Sequence, residues 1–153
     1  MAHPYKTREG GATVTVFVPY DCQNNCPFCI NKKEYADCSG FSLEKILASI
    51  QVMDGITPRC DFVFTGGEPL VRKADILKLA EKHNDVEFAI YTNSTLIDEP
   101  FCKEVVRLGN IAFMLSIEGT PETNDARRGE GHYAAVMHAM DLLKKYGIIC
   151  GTS

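Results

Sequence analysis

The feature that most constrains the fold is a repeated unit of strand, polar loop and helix, which recurs about every 25 residues. The predicted strands are near-continuous apolar runs: Thr13–Val18, Asp61–Phe64, Val86–Tyr91, Asn110–Ile117 and a fifth that opens with Ile148-Ile149-Cys150. The predicted helices are Leu43 to about Met53, capped by Ser42, then Lys73–Lys82, Ile97–Leu108 and roughly Tyr133–Tyr146. Unbroken apolar strands that alternate with helices indicate a parallel sheet with right-handed crossovers. The predicted fold class is therefore α/β, a parallel (β/α) barrel or part of one.

Polar clusters follow the predicted strands at one end only. A cysteine-rich loop follows the first strand, and the next three strands run into Thr65-Gly-Gly-Glu-Pro69, Thr92-Asn-Ser94 and Ser116-Ile-Glu-Gly119. In parallel β/α folds, ligands bind at the carboxyl edge of the strands. The sequence therefore predicts a binding site at that edge.

The cysteine-rich loop places Cys22, Cys26 and Cys29 within eight residues. A closed structural zinc site uses four ligands, whereas an iron–sulfur cube held by three thiolates leaves one iron open to a substrate. Pro27 and the asparagines of the loop disfavour a helix and leave amides free to donate to sulfur. The cysteines alone also allow a zinc site with Cys38 as a distant fourth ligand.

Composition narrows the class of protein. The chain has 153 residues, 45% of them hydrophobic, which fits one globular domain over residues 1–153. A net charge of −4 gives no reason to expect nucleic acid or an anionic membrane as partner. There is no apolar run of membrane-spanning length and no signal-peptide core. Seven unevenly spaced cysteines fit metal binding in a reducing compartment, so we expect a cytoplasmic protein.

Two motifs together carry a family resemblance. Cys22-x3-Cys26-x2-Cys29, followed by Gly66-Gly-Glu-Pro69, resembles the radical S-adenosylmethionine (SAM) superfamily. The resemblance continues through the later strand-end motifs and Asn124-Asp-Ala-Arg-Arg128-Gly129, so it covers nearly the whole chain. It is strongest to the peptide- and protein-modifying members that carry a C-terminal auxiliary-cluster domain. It implies the first four to five β/α units of a six-unit, partial TIM-like barrel.

The resemblance implies two cofactors, a [4Fe–4S] cluster and SAM. Cys22, Cys26 and Cys29 would bind three irons, and the open iron would bind the amino nitrogen and carboxylate of SAM. Phe28 would lie beside the adenine. No catalytic residue beyond the cluster ligands is implied.

The glycine motif is implied to bind the methionyl amine of SAM. Gly66 and Gly67 have no side chains to keep a ligand from their carbonyl groups, and Glu68 can accept from the amine, with Pro69 completing the motif. A plain strand-to-helix turn is the alternative interpretation.

The later motifs supply further candidate SAM contacts. Ser116 and Glu118 are implied to face the SAM carboxylate or ribose, although the family commonly has aspartate where this chain has Glu118. Arg128 matches the arginine that pairs with the SAM carboxylate, with Arg127 as a neighbouring candidate; a solvated loop is the alternative. Asn93 either faces the cofactor or shapes its turn.

The remaining cysteines and histidines carry no predicted function. Cys38, Cys60, Cys102 and Cys150 are expected to be core or surface thiols. The histidines, His3, His83, His132 and His138, show no metal-ligand spacing and are expected to be solvated or structural.

The expected activity is reductive cleavage of SAM to methionine and a 5′-deoxyadenosyl radical, which abstracts hydrogen from a peptide or protein. The reductant would be flavodoxin or ferredoxin. The alternatives are a glycyl-radical-enzyme activase and a metal-binding module without catalysis. Because the chain ends at Ser153, inside the predicted fifth strand, we expect a truncated core that binds a cluster and turns SAM over poorly.

Overall fold

The computed structural model describes residues 12–18, 22–29, 42, 45, 48, 52 and 60–153. Within these ranges, five parallel strands form one sheet in sequence order: β1 (Ala12–Val18), β2 (Cys60–Gly66), β3 (Phe88–Thr92), β4 (Ile111–Leu115) and β5 (Cys150–Thr152). A short 3-10 turn, Pro69–Arg72, follows β2, and residues 60–153 contain the helices α1 (Lys73–Lys82), α2 (Glu99–Leu108), α3 (Pro121–Arg128) and α4 (His132–Lys145). The predicted α/β fold with a parallel sheet is confirmed.

The predicted helix at Leu43–Met53 falls mostly outside the described residues. Lys45, Ala48 and Val52 are described and are helical. The backbone nitrogen of Lys45 lies 3.4 Å from the Ser42 hydroxyl oxygen, which is the contact expected of an N-terminal cap. The cap prediction is therefore confirmed.

Two strands begin two residues later than predicted. The backbone nitrogen of Val86 donates to the His83 carbonyl, so this segment is still a turn and β3 starts at Phe88. Ile148 donates to the Leu143 carbonyl at 2.9 Å, which completes the end of α4 and delays β5 to Cys150.

Helix α3 was not predicted at all. Its sequence is polar and has no apolar stripe, so periodicity does not reveal it. Its local signals are a Thr120 side chain that caps the first turn, Pro121 in the first turn, and Gly129 after the last residue. The segment around Arg128 is therefore a helix end rather than a solvated loop.

One face of the sheet packs against the helices and forms the core. Phe62, Phe64, Phe88 and Phe113 are all at most 1% exposed, and the Phe88 ring centroid lies 6.0 Å from those of both Phe62 and Phe64. Each such ring contributes roughly 1.5–3 kcal/mol by burial. Phe17, on the other face, is 56% exposed.

The strand register aligns the loops that follow the strands. Val18, the last residue of β1, pairs with Gly66, the last residue of β2. In the same way, Thr92 at the end of β3 pairs with Leu115 at the end of β4. Ser116 continues the alignment by donating its backbone nitrogen to the Thr92 carbonyl at 2.9 Å. The predicted polar clusters therefore share one edge of the sheet. Within the described residues, no helix has the length and apolar character needed to cross a membrane.

Candidate functional site

A cavity of about 360 Å³ opens at the carboxyl edge of the sheet. Its walls include most of the residues that the sequence singled out: Cys22, Cys26, Phe28, Cys29, Gly66, Gly67, Glu68, Asn93, Ser116 and Arg128. Asn24, Thr65, Tyr91 and Thr92 complete the lining. The structure thus brings four separate strand-end segments and one helix end to a single site.

Two predicted residues do not line this cavity. Pro69 is buried in the first turn after β2, where it begins the 3-10 turn. Glu118 pairs with Arg127 and with Arg128, of which Arg128 lines the cavity. The contacts of Pro69 and Glu118 with SAM stay predictions.

The three cysteines differ in exposure. Cys26 is buried, whereas Cys22 and Cys29 are partly exposed, and the Cys29 nitrogen donates to the Cys26 carbonyl at 3.2 Å. Burial is the largest effect on the Cys22 thiol and raises its pKa, with Glu68 and Cys26 adding to the rise. The neutral thiol is therefore favoured at Cys22 when no cation is near.

The donors present fit an iron–sulfur group. Within the described part of the chain, no three His, Cys, Asp or Glu side chains are grouped so as to hold one metal ion. A cube has a different requirement, because each thiolate binds its own iron. The Asn24 Nδ2 atom is buried beside the cysteines and has no hydrogen-bond partner among the described residues. A buried N–H donor next to three thiols suits an acceptor such as cluster sulfide.

A side chain at Gly66 would collide with β1. A Cβ atom at Gly66 would stand 2.3 Å from the Val18 carbonyl oxygen and 2.8 Å from the Val18 nitrogen. The φ angle of Gly66 is +122°, which residues with a side chain rarely adopt. The first glycine of the motif therefore allows two strand ends to approach each other, which the sequence interpretation as a ligand contact did not include.

Glu68 is engaged by protein donors. It is 1% exposed, and its Oε1 atom accepts from the Leu70 nitrogen at 2.9 Å and from the Thr92 hydroxyl at 2.7 Å. Its Oε2 atom accepts from the Asn93 nitrogen at 2.7 Å. Burial raises the pKa of this carboxyl although the three donors act against the rise. Glu68 therefore joins the end of β2 to the turn after β3.

The Asn93 side chain is held in one orientation. Its Oδ1 atom accepts from the Thr95 nitrogen at 3.1 Å, from the Thr95 hydroxyl at 2.8 Å and from Gln23 Nε2 at 3.3 Å. The Nδ2 atom then faces Cys22 and lies 3.7 Å from its sulfur. Both of the predicted roles of Asn93 are compatible with this placement, because it shapes its turn and also lines the cavity.

Glu118 forms an ion-pair cluster with the end of α3. Its Oε1 atom accepts from Arg128 Nη2 at 2.7 Å and Nε at 3.1 Å, and its Oε2 atom lies 2.9 Å from Arg127 Nε. Burial disfavours the charged carboxylate, but the two arginines together hold the pKa of Glu118 below its ordinary value. The Arg127 guanidinium carbon also lies 4.1 Å from the centroid of the Phe28 ring. This cation–π contact ties the cysteine loop to α3.

Two residues near the site, Asn24 and Tyr91, were missed from sequence. Asn24 and Tyr91 line the cavity; the signals were the position of Asn24 between two cysteines and that of Tyr91 next to Thr92. His132 is 5% exposed and its Nδ1 atom lies 3.0 Å from Asn124 Nδ2, so this histidine is structural, as expected. Cys102 is buried and Cys150 exposed, as expected, whereas Cys38 and the Cys60 side chain lie outside the described residues.

A family model described as the Radical SAM superfamily matches residues 16–153. The Fe-coproporphyrin III synthase of Methanosarcina barkeri is 30% identical over 138 residues, which are 85% of this chain and 33% of the synthase. The serine-type anaerobic sulfatase-maturating enzyme of Bacteroides thetaiotaomicron is 31% identical over 102 residues, which are 60% of this chain and 24% of that enzyme.

A solved structure with the same fold is described as native anSMEcpe with bound AdoMet and Cp18Cys peptide. It matches with a TM-score of 0.73 and 26% identity, over 93% of this chain and 42% of the solved chain. The present chain spans between 24% and 53% of the length of the curated relatives it matches.

Proposed function

Because this chain belongs to the radical SAM superfamily, we propose that Cys22, Cys26 and Cys29 hold a [4Fe–4S] cluster at which S-adenosylmethionine is cleaved. When bound, the cluster would supply one electron to the SAM sulfonium, yielding methionine and a 5′-deoxyadenosyl radical that takes hydrogen from a substrate. The observation that carries the proposal is the single cavity of about 360 Å³ lined by all three thiols and by the residues of three other strand-end motifs.

Arg128 is proposed to bind the carboxylate of SAM. The Arg128 side chain lines the cavity and is 15% exposed. Glu118 engages Nε and Nη2 of its guanidinium, which leaves the Nη1 donors for a second carboxylate. Glu118 would thereby orient Arg128 without contacting SAM, which accounts for a glutamate at a position where the family commonly has aspartate.

The remaining wall residues are proposed to hold SAM and keep water out. Gly67 and Ser116 would contact the methionyl end, and Phe28 would pack beside the adenine. Phe28 is 40% exposed and is fixed on the cysteine loop by its contact with Arg127. An exposed ring held in place offers a preformed surface on which a planar base can stack.

The substrate is proposed to be a peptide or protein. Support comes from the sulfatase-maturating relative and from the peptide bound in the similar solved structure. The relative named Fe-coproporphyrin III synthase carries a different product in its name, so SAM cleavage and substrate class need separate tests. Flavodoxin or ferredoxin is the proposed reductant, and the cytoplasm is the proposed location because the thiols must stay reduced.

The test of SAM cleavage is anaerobic reconstitution with iron and sulfide, reduction with dithionite, and assay of 5′-deoxyadenosine after SAM is added. We expect product from the wild-type chain and none from Cys26→Ala. Cys150→Ser is the matched control, because Cys150 is a free, exposed thiol outside the cavity. Zinc binding with no iron uptake would contradict the whole proposal, and a stable cluster without any product would contradict its catalytic part.

A further inference from the structure

We infer that Asn93 tunes the redox behaviour of the site by donating a side-chain hydrogen bond to the Cys22 sulfur. The inference rests on the proposed function, because it concerns the group that Cys22 would hold. The Nδ2 atom of Asn93 lies 3.7 Å from the Cys22 sulfur, within the range of an N–H···S hydrogen bond. Asn93 is therefore assigned a tuning role toward a cluster ligand, in addition to its place in the cavity wall.

The orientation of the Asn93 amide is fixed by its other end. A backbone nitrogen can only donate, and the Thr95 nitrogen lies 3.1 Å from Oδ1 of Asn93, so this atom is an oxygen rather than a flipped nitrogen. Gln23 Nε2 approaches the same oxygen at 3.3 Å and reinforces the assignment. The Nδ2 donor consequently faces Cys22.

The backbone of Asn93 is held as firmly as its side chain. Asn93 is 7% exposed, and its nitrogen donates to buried Glu68 at 2.7 Å. The next residue, Ser94, has a φ angle of +72°, which a residue with a side chain adopts only where its surroundings enforce it. Its nitrogen donates to the Thr92 hydroxyl at 3.0 Å. A turn fixed by so many contacts keeps the donor near the sulfur while a ligand binds or leaves.

A hydrogen-bond donor next to the Cys22 sulfur affects the reduction potential of the site. One-electron reduction increases the negative charge on the sulfur atoms of an iron–sulfur site, and an N–H donor stabilises that charge. Asn93 thus raises the reduction potential relative to the same site without the donor. Glu68 lines the same cavity, and an ionised carboxylate there would act in the opposite direction.

The experiment is a redox titration of the reconstituted protein without SAM. Dithionite is the reductant, and electron paramagnetic resonance monitors the reduced cluster. Asn93→Asp keeps the oxygen that Thr95 needs and removes the donor, and Asn93→Ser removes the donor without adding charge. Asn84→Ser is the matched control, since it makes the same replacement at an exposed asparagine that does not line this cavity. Iron content and circular dichroism establish that each variant is loaded and folded.

The expected result is a midpoint potential that becomes more negative in Asn93→Ser and still more negative in Asn93→Asp, with Asn84→Ser unchanged. Loaded Asn93 variants with the wild-type potential would overturn this inference and leave the proposed function standing. A wild-type chain that takes up no cluster would overturn the proposed function and, with it, the inference.

Discussion

The Glu68 carboxylate accepts a hydrogen bond from the backbone nitrogen of Asn93 at 2.7 Å, so the end of β2 holds the turn that follows β3. The same carboxylate accepts from the Thr92 hydroxyl at 2.7 Å and is almost completely buried. Because Asn93 in turn reaches Cys22, the glycine motif, the third strand end and the cysteine loop form one connected network. A change at Glu68 should therefore be felt at the cysteines.

Replacing Glu68 with glutamine should destabilise the fold by about 1–3 kcal/mol, because one of the buried donors at the carboxylate would face an NH₂ group. Urea unfolding measures this loss. The exposed Glu130→Gln variant is the matched control and should stay within about 0.5 kcal/mol of wild type. A Glu68→Gln protein as stable as wild type would show that the network contributes no stability.

Gly66→Ala should be far more disruptive than Gly109→Ala. Both glycines have positive φ angles, but only at Gly66 would the new Cβ collide with backbone, 2.3 Å from the Val18 oxygen. We expect the free energy of unfolding to fall by at least about 3 kcal/mol in Gly66→Ala. In Gly109→Ala, where no atom lies within 4 Å of the new Cβ, we expect it to fall by about 1–2 kcal/mol. Thermal unfolding of both variants measures the difference. Equal losses would show that the close contact of β1 with β2 relaxes freely.

Burial is the main effect that holds the pKa of His132 below its ordinary value, and the nearby charge of Arg128 is the second. The Asn93 carbonyl, Asp125 and Glu118 act against this shift. The folded state therefore keeps the ring neutral, and stability should fall as the pH drops through about 6.5, where the unfolded chain takes up the proton first. The free energy of unfolding, measured at about pH 7.5 and about pH 5.5, tests this sign.

In the same experiment, His132→Gln should show a smaller loss on acidification, because glutamine does not titrate. His138→Gln makes the same change at an exposed position of α4 and is the matched control. A pH dependence in His132→Gln equal to that of wild type would contradict the assignment of His132 as a buried neutral ring.

Asp98 caps α2, since its Oδ1 atom accepts from the Phe101 nitrogen at 2.8 Å. A hydrogen bond from Lys73 is the largest cause that lowers the pKa of Asp98, so its contribution should be present above about pH 4 and decline as the pH falls further. Asp98→Ala should lower the free energy of unfolding by about 1 kcal/mol at neutral pH. Asp98→Asn should lower it by only a few tenths of that, because asparagine also caps helices. Chemical denaturation measures the free energy of unfolding of both variants. Equal losses in Asp98→Ala and Asp98→Asn would mean that the ion pair with Lys73 contributes more stability than the cap.

The sequence was sufficient to predict the parallel sheet and the grouping of the polar motifs, because strand order and the carboxyl-edge rule follow from the repeated unit alone. It was not sufficient for contacts that depend on neighbouring loops. The Asn93 side chain contacts Gln23, which is 70 residues away along the chain. Burial of Glu68 and the pairing of Glu118 with Arg128 likewise arise from tertiary packing. Local motifs thus identified the participants, while the fold determined which of them contact each other.

The central claim is that the three-cysteine loop holds a cluster with one iron open to SAM. The most direct measurement is electron paramagnetic resonance of the reduced, reconstituted protein before and after SAM is added. We expect SAM to change the spectrum, because a ligand on the open iron alters its electronic surroundings. A spectrum that is indifferent to saturating SAM would contradict the account and identify the chain as a metal-binding module without this chemistry.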